Sequence, residues 1–201
     1  MAKARKGSIF ERWVATQLSL WWTEGASDQV FWRTSNSGGR ATTRNKAGKQ
    51  ANLHCGDLCA LDAIGQPLLD LLTIEIKRGY SKWTLADLLD TPMDGPRPRY
   101  QEWIEQVQRA QQQAGVWSWL LIVKRDRRVP LVLLPQTLEL ELVEYGAVFD
   151  QPVSPAFTIW YADKKDNLCG FTLTSFLEAV SPTIIRRLAR RYMVRSHKKR
   201  L

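Results

Sequence analysis

No stretch of this chain is apolar for long enough to cross a bilayer. The longest nearly uninterrupted run, Val116 to Val123, falls far short of the roughly 20 residues that a spanning helix requires. Cysteine is scarce too. Cys55, Cys59 and Cys169 make an odd count, and the basic start MAKARKGSIFERW meets Glu11 and Arg12 before any apolar segment that would serve as a signal peptide. A disulfide framework is therefore not expected, and the anticipated location is the cytoplasm. Beside His54, the cysteines spell H-C-x3-C, which lacks the paired C-x2-C knuckles of structural zinc sites. They read instead as small apolar strand residues.

Acidic residues are missing from two places. From Thr183 to Leu201 there are eight basic residues and no acid, so of the net charge of +9 only +1 is left for the rest of the chain. Between Asp28 and Asp57, Arg33, Arg40, Arg44, Lys46 and Lys49 occur without a carboxylate. Two cationic segments flanking a nearly neutral body suit a polyanion such as nucleic acid, because neutralised phosphates release counterions. The plainer reading is a solvated helix and a solvated loop. At 201 residues, 44% apolar and 24% charged, the chain is neither disordered nor too short for a core.

Hydrophobic spacing gives the order of elements. Ile9, Phe10, Trp13, Val14, Leu18 and Trp21 predict a helix over 8–23, stopped at Thr23-Glu24-Gly25. Val30 to Thr34 reads as a strand, followed by the turn Ser35-Asn36-Ser37-Gly38-Gly39-Arg40 and a basic loop to about Asn52. Leu58 to Ile64 and Leu71 to Lys77 read as a hairpin about Gly65-Gln66-Pro67. After an irregular connection, Trp103, Val107, Ala110 and Ala114 predict a second helix ended by Gly115, with strands at 117–124 and 129–134. Glutamines 106, 108 and 111–113 on that helix read as a solvated face, and Trp13, Trp21, Trp103, Trp117 and Trp119 as core. Beyond Pro135 the expectation is an extension: a hairpin of 157–161 with 170–173, a helix near 174–180 and a basic helix from Pro182. The whole is a mixed α/β layer architecture in one domain, 1–201, with a core of about 1–135 and an extension of about 136–201.

The chemistry is concentrated in Gly56-Asp57 and, after 17 intervening residues, Glu75-Ile76-Lys77. Side chains alternate along a strand, so Glu75 and Lys77 share a face. If the strands pair symmetrically about residue 66, Asp57 stands opposite Glu75. Two adjacent carboxylates repel unless a cation joins them, and Mg²⁺, which takes hard oxygen ligands and keeps water and phosphate in its remaining positions, suits the pair. An E-x-K triplet alone is expected by chance roughly 0.7 times in 200 positions, so its weight comes from its strand context. Glu11, in line with Leu18 and Trp22 on the first helix, adds a third carboxylate held near the sheet.

Lys6-Gly7, Glu11, the turn Ser35 to Arg40, Gly56-Asp57 and Glu75-Ile76-Lys77 together resemble the PD-(D/E)XK nuclease superfamily, and most of all archaeal-type and phage Holliday junction resolvases. The resemblance covers roughly residues 5 to 125. It implies a restriction-endonuclease-like core of helix, three-stranded β-meander, helix and strand, carrying a C-terminal α+β extension. It also implies Asp57 and Glu75 as metal ligands, Lys77 as the catalytic lysine, Glu11 as the carboxylate near the metal, and Ser35 or Ser37 as a contact to DNA near the cut. The cofactor would be Mg²⁺, with Mn²⁺ as a substitute, in a prokaryotic or phage-infected cell. Gly56 stands where the pattern often has proline, and neither the long basic loop nor the extension has a counterpart in the small resolvases.

The expected function is a metal-dependent DNA endonuclease that resolves branched DNA, working as a homodimer because a junction needs two cuts. Arg40, Arg44 and Lys46 in the loop and Arg186, Arg187, Arg190 and Arg191 in the tail are the expected phosphate contacts. The alternatives are a non-catalytic nucleic-acid-binding protein on the same fold, or a restriction- or repair-type nuclease.

Overall fold

The first helix, α1 (Ala2–Trp22), begins six residues earlier than its apolar stripe announces. Phe10, Val14, Leu18 and Trp22 bury one face of it. It ends where Gly25 N–H returns to the Leu20 carbonyl at 2.7 Å and Glu24 takes a left-handed φ of 54°. The computed structural model describes residues 2–34, 56–79, 82–90, 94–149, 156–159 and 167–198. The Ser35–Arg40 turn and the basic loop after it lie outside these residues, as do His54 and Cys55.

Strand β1 (Phe31–Arg33) pairs antiparallel with β2 (Leu58–Ala60), with Arg33 opposite Leu58. The hairpin expected between residues 58 and 77 does not form. A 3-10 turn (Ala63–Gly65) and a short helix, α2 (Gln66–Leu71), separate β2 from β3 (Leu72–Arg78). The physical reason is local. The Asp62 carboxylate accepts the Ile64 N–H at 2.9 Å and so caps the 3-10 turn. Pro67 sits in the first turn of α2, where its missing N–H costs nothing. Leu68, Leu69 and Leu71 then bury at helical spacing. Gly65 is forced by packing, for a Cβ there would lie 2.7 Å from the Phe31 ring.

A crossover through α3 (Arg99–Ala114), ended by Gly115 at φ 66°, delivers β4 (Ser118–Lys124) parallel to β3. β5 (Leu131–Pro135) follows antiparallel. Next comes α4 (Gln136–Glu144), a helix the hydrophobic pattern did not announce. β6 (Ala156–Ile159) and β7 (Leu168–Thr172) form the anticipated hairpin, and β7 pairs with β5. The sheet order is β3-β4-β5-β7-β6, so strands of the expected extension continue the central sheet. Two helices close the described chain, α5 (Leu173–Ala179) and α6 (Pro182–Lys198). This is a mixed α/β, restriction-endonuclease-like fold, although its three leading strands are not a continuous meander. Among the described residues no helix is long and apolar enough to cross a membrane.

Strand alternation divides the core in two. Ile74, Ile76, Leu120, Ile122, Val132 and Leu134 face α1, α2 and the C-terminal helices. Leu121, Val123 and Leu133 face Tyr100, Trp103, Ile104 and Val107 of α3. Burial of both faces explains the continuous apolar runs in β4 and β5. The tryptophan reading needs one correction. Trp103 and Trp119 are buried, but Trp13 is 40% exposed, stacked on Phe10 with the Lys124 ammonium above its ring.

Gly56 passes close against β3 just before Asp57. Its φ is 139°, and a Cβ there would lie 2.9 Å from the Ile74 carbonyl oxygen. Neither proline nor any other L-residue fits without strain. We expect Gly56→Ala to lower unfolding free energy by at least about 1–3 kcal/mol, measured by urea denaturation. Unchanged stability would contradict this close approach.

Candidate active site

Asp57 reaches the edge of β3 through both its backbone N–H and its carboxylate. Its N–H donates to the Ile74 carbonyl at 2.9 Å, and its Oδ2 accepts the Ile76 N–H at 2.7 Å. These two bonds straddle Glu75. On the other side, Thr34 N–H donates to the Asp57 carbonyl and Thr34 Oγ1 to the Gly56 carbonyl, both at 2.9 Å, so the end of β1 pins the same two residues. Asp57 and Glu75 are each only 4% exposed. The pairing expected from strand symmetry is thus present, although an edge attachment makes it rather than a hairpin.

Lys77, two residues along β3, places its ammonium 2.8 Å from Glu75 Oε2. Gln106 of α3 donates to the same oxygen at 3.1 Å. This corrects the reading of Gln106 as part of a solvated face. Its sequence signal was its place beside Trp103 and Val107, at the margin of the buried stripe of α3. Gln111 likewise donates inward, to the Trp117 carbonyl at 3.3 Å, whereas Gln108, Gln112 and Gln113 are exposed.

Glu11 comes in from α1. Its Oε2 lies 3.4 Å from Nη1 of Arg33, the last residue of β1. Arg33 was counted in the sequence only as one basic residue of a run, yet the fold sets it beside the cluster. Burial and the neighbouring Asp57 charge raise the Glu11 pKa above the ordinary carboxylate range, while Arg33 and Lys77 pull it back. For Glu75 the order is the same: burial raises its pKa first, then Asp57, and Lys77 opposes both. Three acids, a lysine and an arginine therefore converge at one end of the β3 edge, and Glu11 and Glu75 are held where ionisation is costly.

Such a pair of buried carboxylates fits a divalent cation, which would lift the repulsion and accept hard oxygen ligands. Among the described residues no three His, Cys, Asp or Glu side chains stand close enough to form a complete protein cage. A two-carboxylate site completed by water and substrate phosphate is the arrangement Mg²⁺ commonly adopts.

The cationic tail divides in two. Arg186 donates to the Trp22 carbonyl at 3.0 Å and stacks over the Trp22 ring at 4.5 Å. Arg191 binds Glu141 at 3.0 Å and the Tyr145 hydroxyl at 3.2 Å. Both dock α6 onto the body. Arg187 and Arg190 are exposed. Of the loop residues expected to touch DNA, Ser35, Ser37, Arg40, Arg44 and Lys46 lie outside the described residues.

A mixed sheet edged by Asp57 and Glu75-x-Lys77, with a helix-borne carboxylate at its end, defines a nuclease of the PD-(D/E)XK class. Sequence comparison agrees: residues 2–185 match the model of the family described as "Phage putative PDDEXK endonuclease", and the chain belongs to that family. No curated protein and no solved structure gives a significant match.

Two outcomes follow. With the raised Glu75 pKa, the metal-free native state takes up its proton before the unfolded chain does, so stability rises as pH falls towards the ordinary carboxylate range. Glu75→Gln should accordingly melt higher than the wild type in chelator at neutral pH, and the difference should shrink on acidification. A lower-melting variant at neutral pH would contradict the repulsion. In the tail, Arg187→Ala with Arg190→Ala should reduce the slope of log affinity for DNA against log salt by about 1.8, at about 0.9 per phosphate. Arg186→Ala should instead show itself as a lower melting temperature, and an unchanged one would refute its docking role.

Proposed function

We propose that the protein is a divalent-metal-dependent endonuclease that cuts branched DNA such as Holliday junctions, acts as a homodimer, and works in the cytoplasm of a prokaryotic or phage-infected cell. The observation that carries the metal dependence is the Asp57–Glu75 pair, buried, side by side and opposed by Lys77. Asp57 and Glu75 would hold the cation. When bound, the cation supplies neutralising charge for the scissile phosphate and makes an attacking water more acidic. Every other element of the reading belongs to the chain.

The Ile76 N–H fixes the Asp57 carboxylate beside Glu75, so the pair needs little reorganisation to hold a cation. Gln106 holds the Glu75 carboxylate from the α3 side, and Lys77 exchanges its contact with Glu75 for a phosphate oxygen as substrate arrives. In that position the ammonium stabilises the charge that grows on the phosphate during in-line displacement. Glu11 and Arg33 flank the attacking side. Their ion pair lets the Glu11 carboxylate orient water while the guanidinium remains close to the anionic substrate. Branched substrate and homodimer are supported by the resemblance of Glu11, the Ser35–Arg40 turn, Asp57 and Glu75-x-Lys77 to junction resolvases, and by the two cuts that resolution demands.

The test is a panel of a four-way junction, a flap, linear duplex and single strand, incubated with Mg²⁺, Mn²⁺ or EDTA and with wild type, Asp57→Ala and Lys77→Ala. The expected result is metal-dependent cutting that favours the junction, falling by about 10²–10³-fold or more in each variant. Cutting that survives in both variants or in EDTA would overturn the site assignment. Equal rates on junction and linear duplex would overturn the branched-DNA reading and leave a restriction- or repair-type nuclease. Binding without cleavage in the wild type would leave a non-catalytic DNA-binding protein.

A further inference from the structure

β4 leaves the sheet as Lys124-Arg125-Asp126-Arg127-Arg128, four cations and one acid in five residues between two apolar strands. Sequence alone marks this as an ordinary turn. The fold gives it a location. Lys77 stands opposite Val123 in the parallel β3–β4 register, and Gly79 N–H donates to the Lys124 carbonyl at 3.0 Å. The turn therefore projects from the end of the sheet where Lys77 emerges. Alternation carries the face of Glu75, Lys77, Leu121 and Val123 on to Arg125. The Arg125 charge acts on buried Tyr100, which belongs to the core on that same face. One strand over and two residues along, the Cα of Arg125 lies about 8 Å from that of Lys77.

The neighbouring arginines are already satisfied. Arg97 and Arg109 pair with Glu105, and Arg99 pairs with Glu102. Among the described residues neither Arg125, Arg127 nor Arg128 makes an ion pair, and the latter two are exposed. Asp126, the acid of the turn, lies 4.0 Å from Arg78 of β3, so the turn keeps its cations for solvent and ties its acid to the sheet. Arg127 also occupies a left-handed φ of 60°, a conformation glycine or asparagine adopts with less strain. A long cationic side chain has been kept there at a conformational cost.

We infer that the β4–β5 turn is a docking surface for the DNA backbone, with Arg125, Arg127 and Arg128 each holding one phosphate on the strand that runs away from the scissile position at Lys77. The inference rests on the endonuclease reading for its substrate. It adds a place on the protein where DNA flanking the cut is held. Because these groups lie beyond the metal-binding pair, they act on substrate affinity and positioning.

The experiment is fluorescence anisotropy of a labelled four-way junction and a labelled linear duplex in EDTA, with the full-length protein, across roughly 50 to 200 mM salt. Replacing all three arginines by alanine should weaken binding and reduce the slope of log affinity against log salt by about 2.7, three phosphates at about 0.9 each. Replacing them by lysine should restore most of the slope. Arg109→Ala, which removes a paired surface charge, should leave it in place. A triple alanine variant that is folded by circular dichroism yet keeps the wild-type slope overturns the proposal. If the wild type binds with the expected slope change but cuts nothing with Mg²⁺ or Mn²⁺, the docking surface stands and the endonuclease reading falls. If it cuts and the slope does not move, the reverse holds.

Discussion

Two hydrogen bonds, one from the Asp57 N–H and one to its carboxylate, set Asp57 against the edge of β3 on either side of Glu75, and the rest of the site follows from that attachment. Once Asp57 is fixed there, two carboxyl groups must share a buried space, and both geometry and charge become constrained. Gly56 is required because the chain passes the Ile74 carbonyl too closely for a side chain. Thr34 is required to hold the same dipeptide from β1. Lys77 and Gln106 then become the groups that make ionised Glu75 tolerable. Removing Lys77 or Gln106 is costly, because it leaves ionised Glu75 uncompensated.

The surrounding architecture makes that cost bearable. β3 and β4 are packed on both faces, by α1, α2 and the C-terminal helices on one and by α3 on the other. α1 is in turn held at several points. Ser19 Oγ accepts the Phe31 N–H at 2.9 Å, the Trp22 indole donates to the Ile64 carbonyl at 2.7 Å, and the Trp21 indole donates to the Val180 carbonyl at 2.8 Å. The helix that carries Glu11 is thus tied to β1, to the 3-10 turn before α2 and to the junction of α5 with α6. A site that repels itself is placed where the structure around it is most cross-linked. That is the usual relation between strained functional groups and the scaffold that maintains them.

Much of this was legible in the sequence, for reasons that can be separated. Glu75 and Lys77 share a surroundings because strand period two is a strong rule, and Glu11 follows from helix spacing with Leu18 and Trp22. The pairing of Asp57 with Glu75 came from a symmetric hairpin that does not exist; α2 occupies the connection, and the alignment survives because Asp57 meets β3 at its edge. The helix α4 was invisible because Leu138, Leu140 and Leu142 alternate like a strand, whereas only Leu138 and Leu142 are buried, at helical spacing, and Leu140 is 57% exposed. Periodicity cannot tell whether an apolar residue is used. Nor can composition tell a docked arginine from an exposed one: Arg186 and Arg187 are adjacent in sequence, and only the first meets Trp22. Gln106 belongs with these, since its role depends on which strand α3 crosses.

Whether Asp57 and Glu75 together form a divalent-cation site is measured by calorimetric titration of the metal-free protein with Mn²⁺. Saturable binding in the wild type that disappears in Asp57→Asn and in Glu75→Gln, with both variants folded, is the predicted result. Equal binding by all three proteins would contradict it.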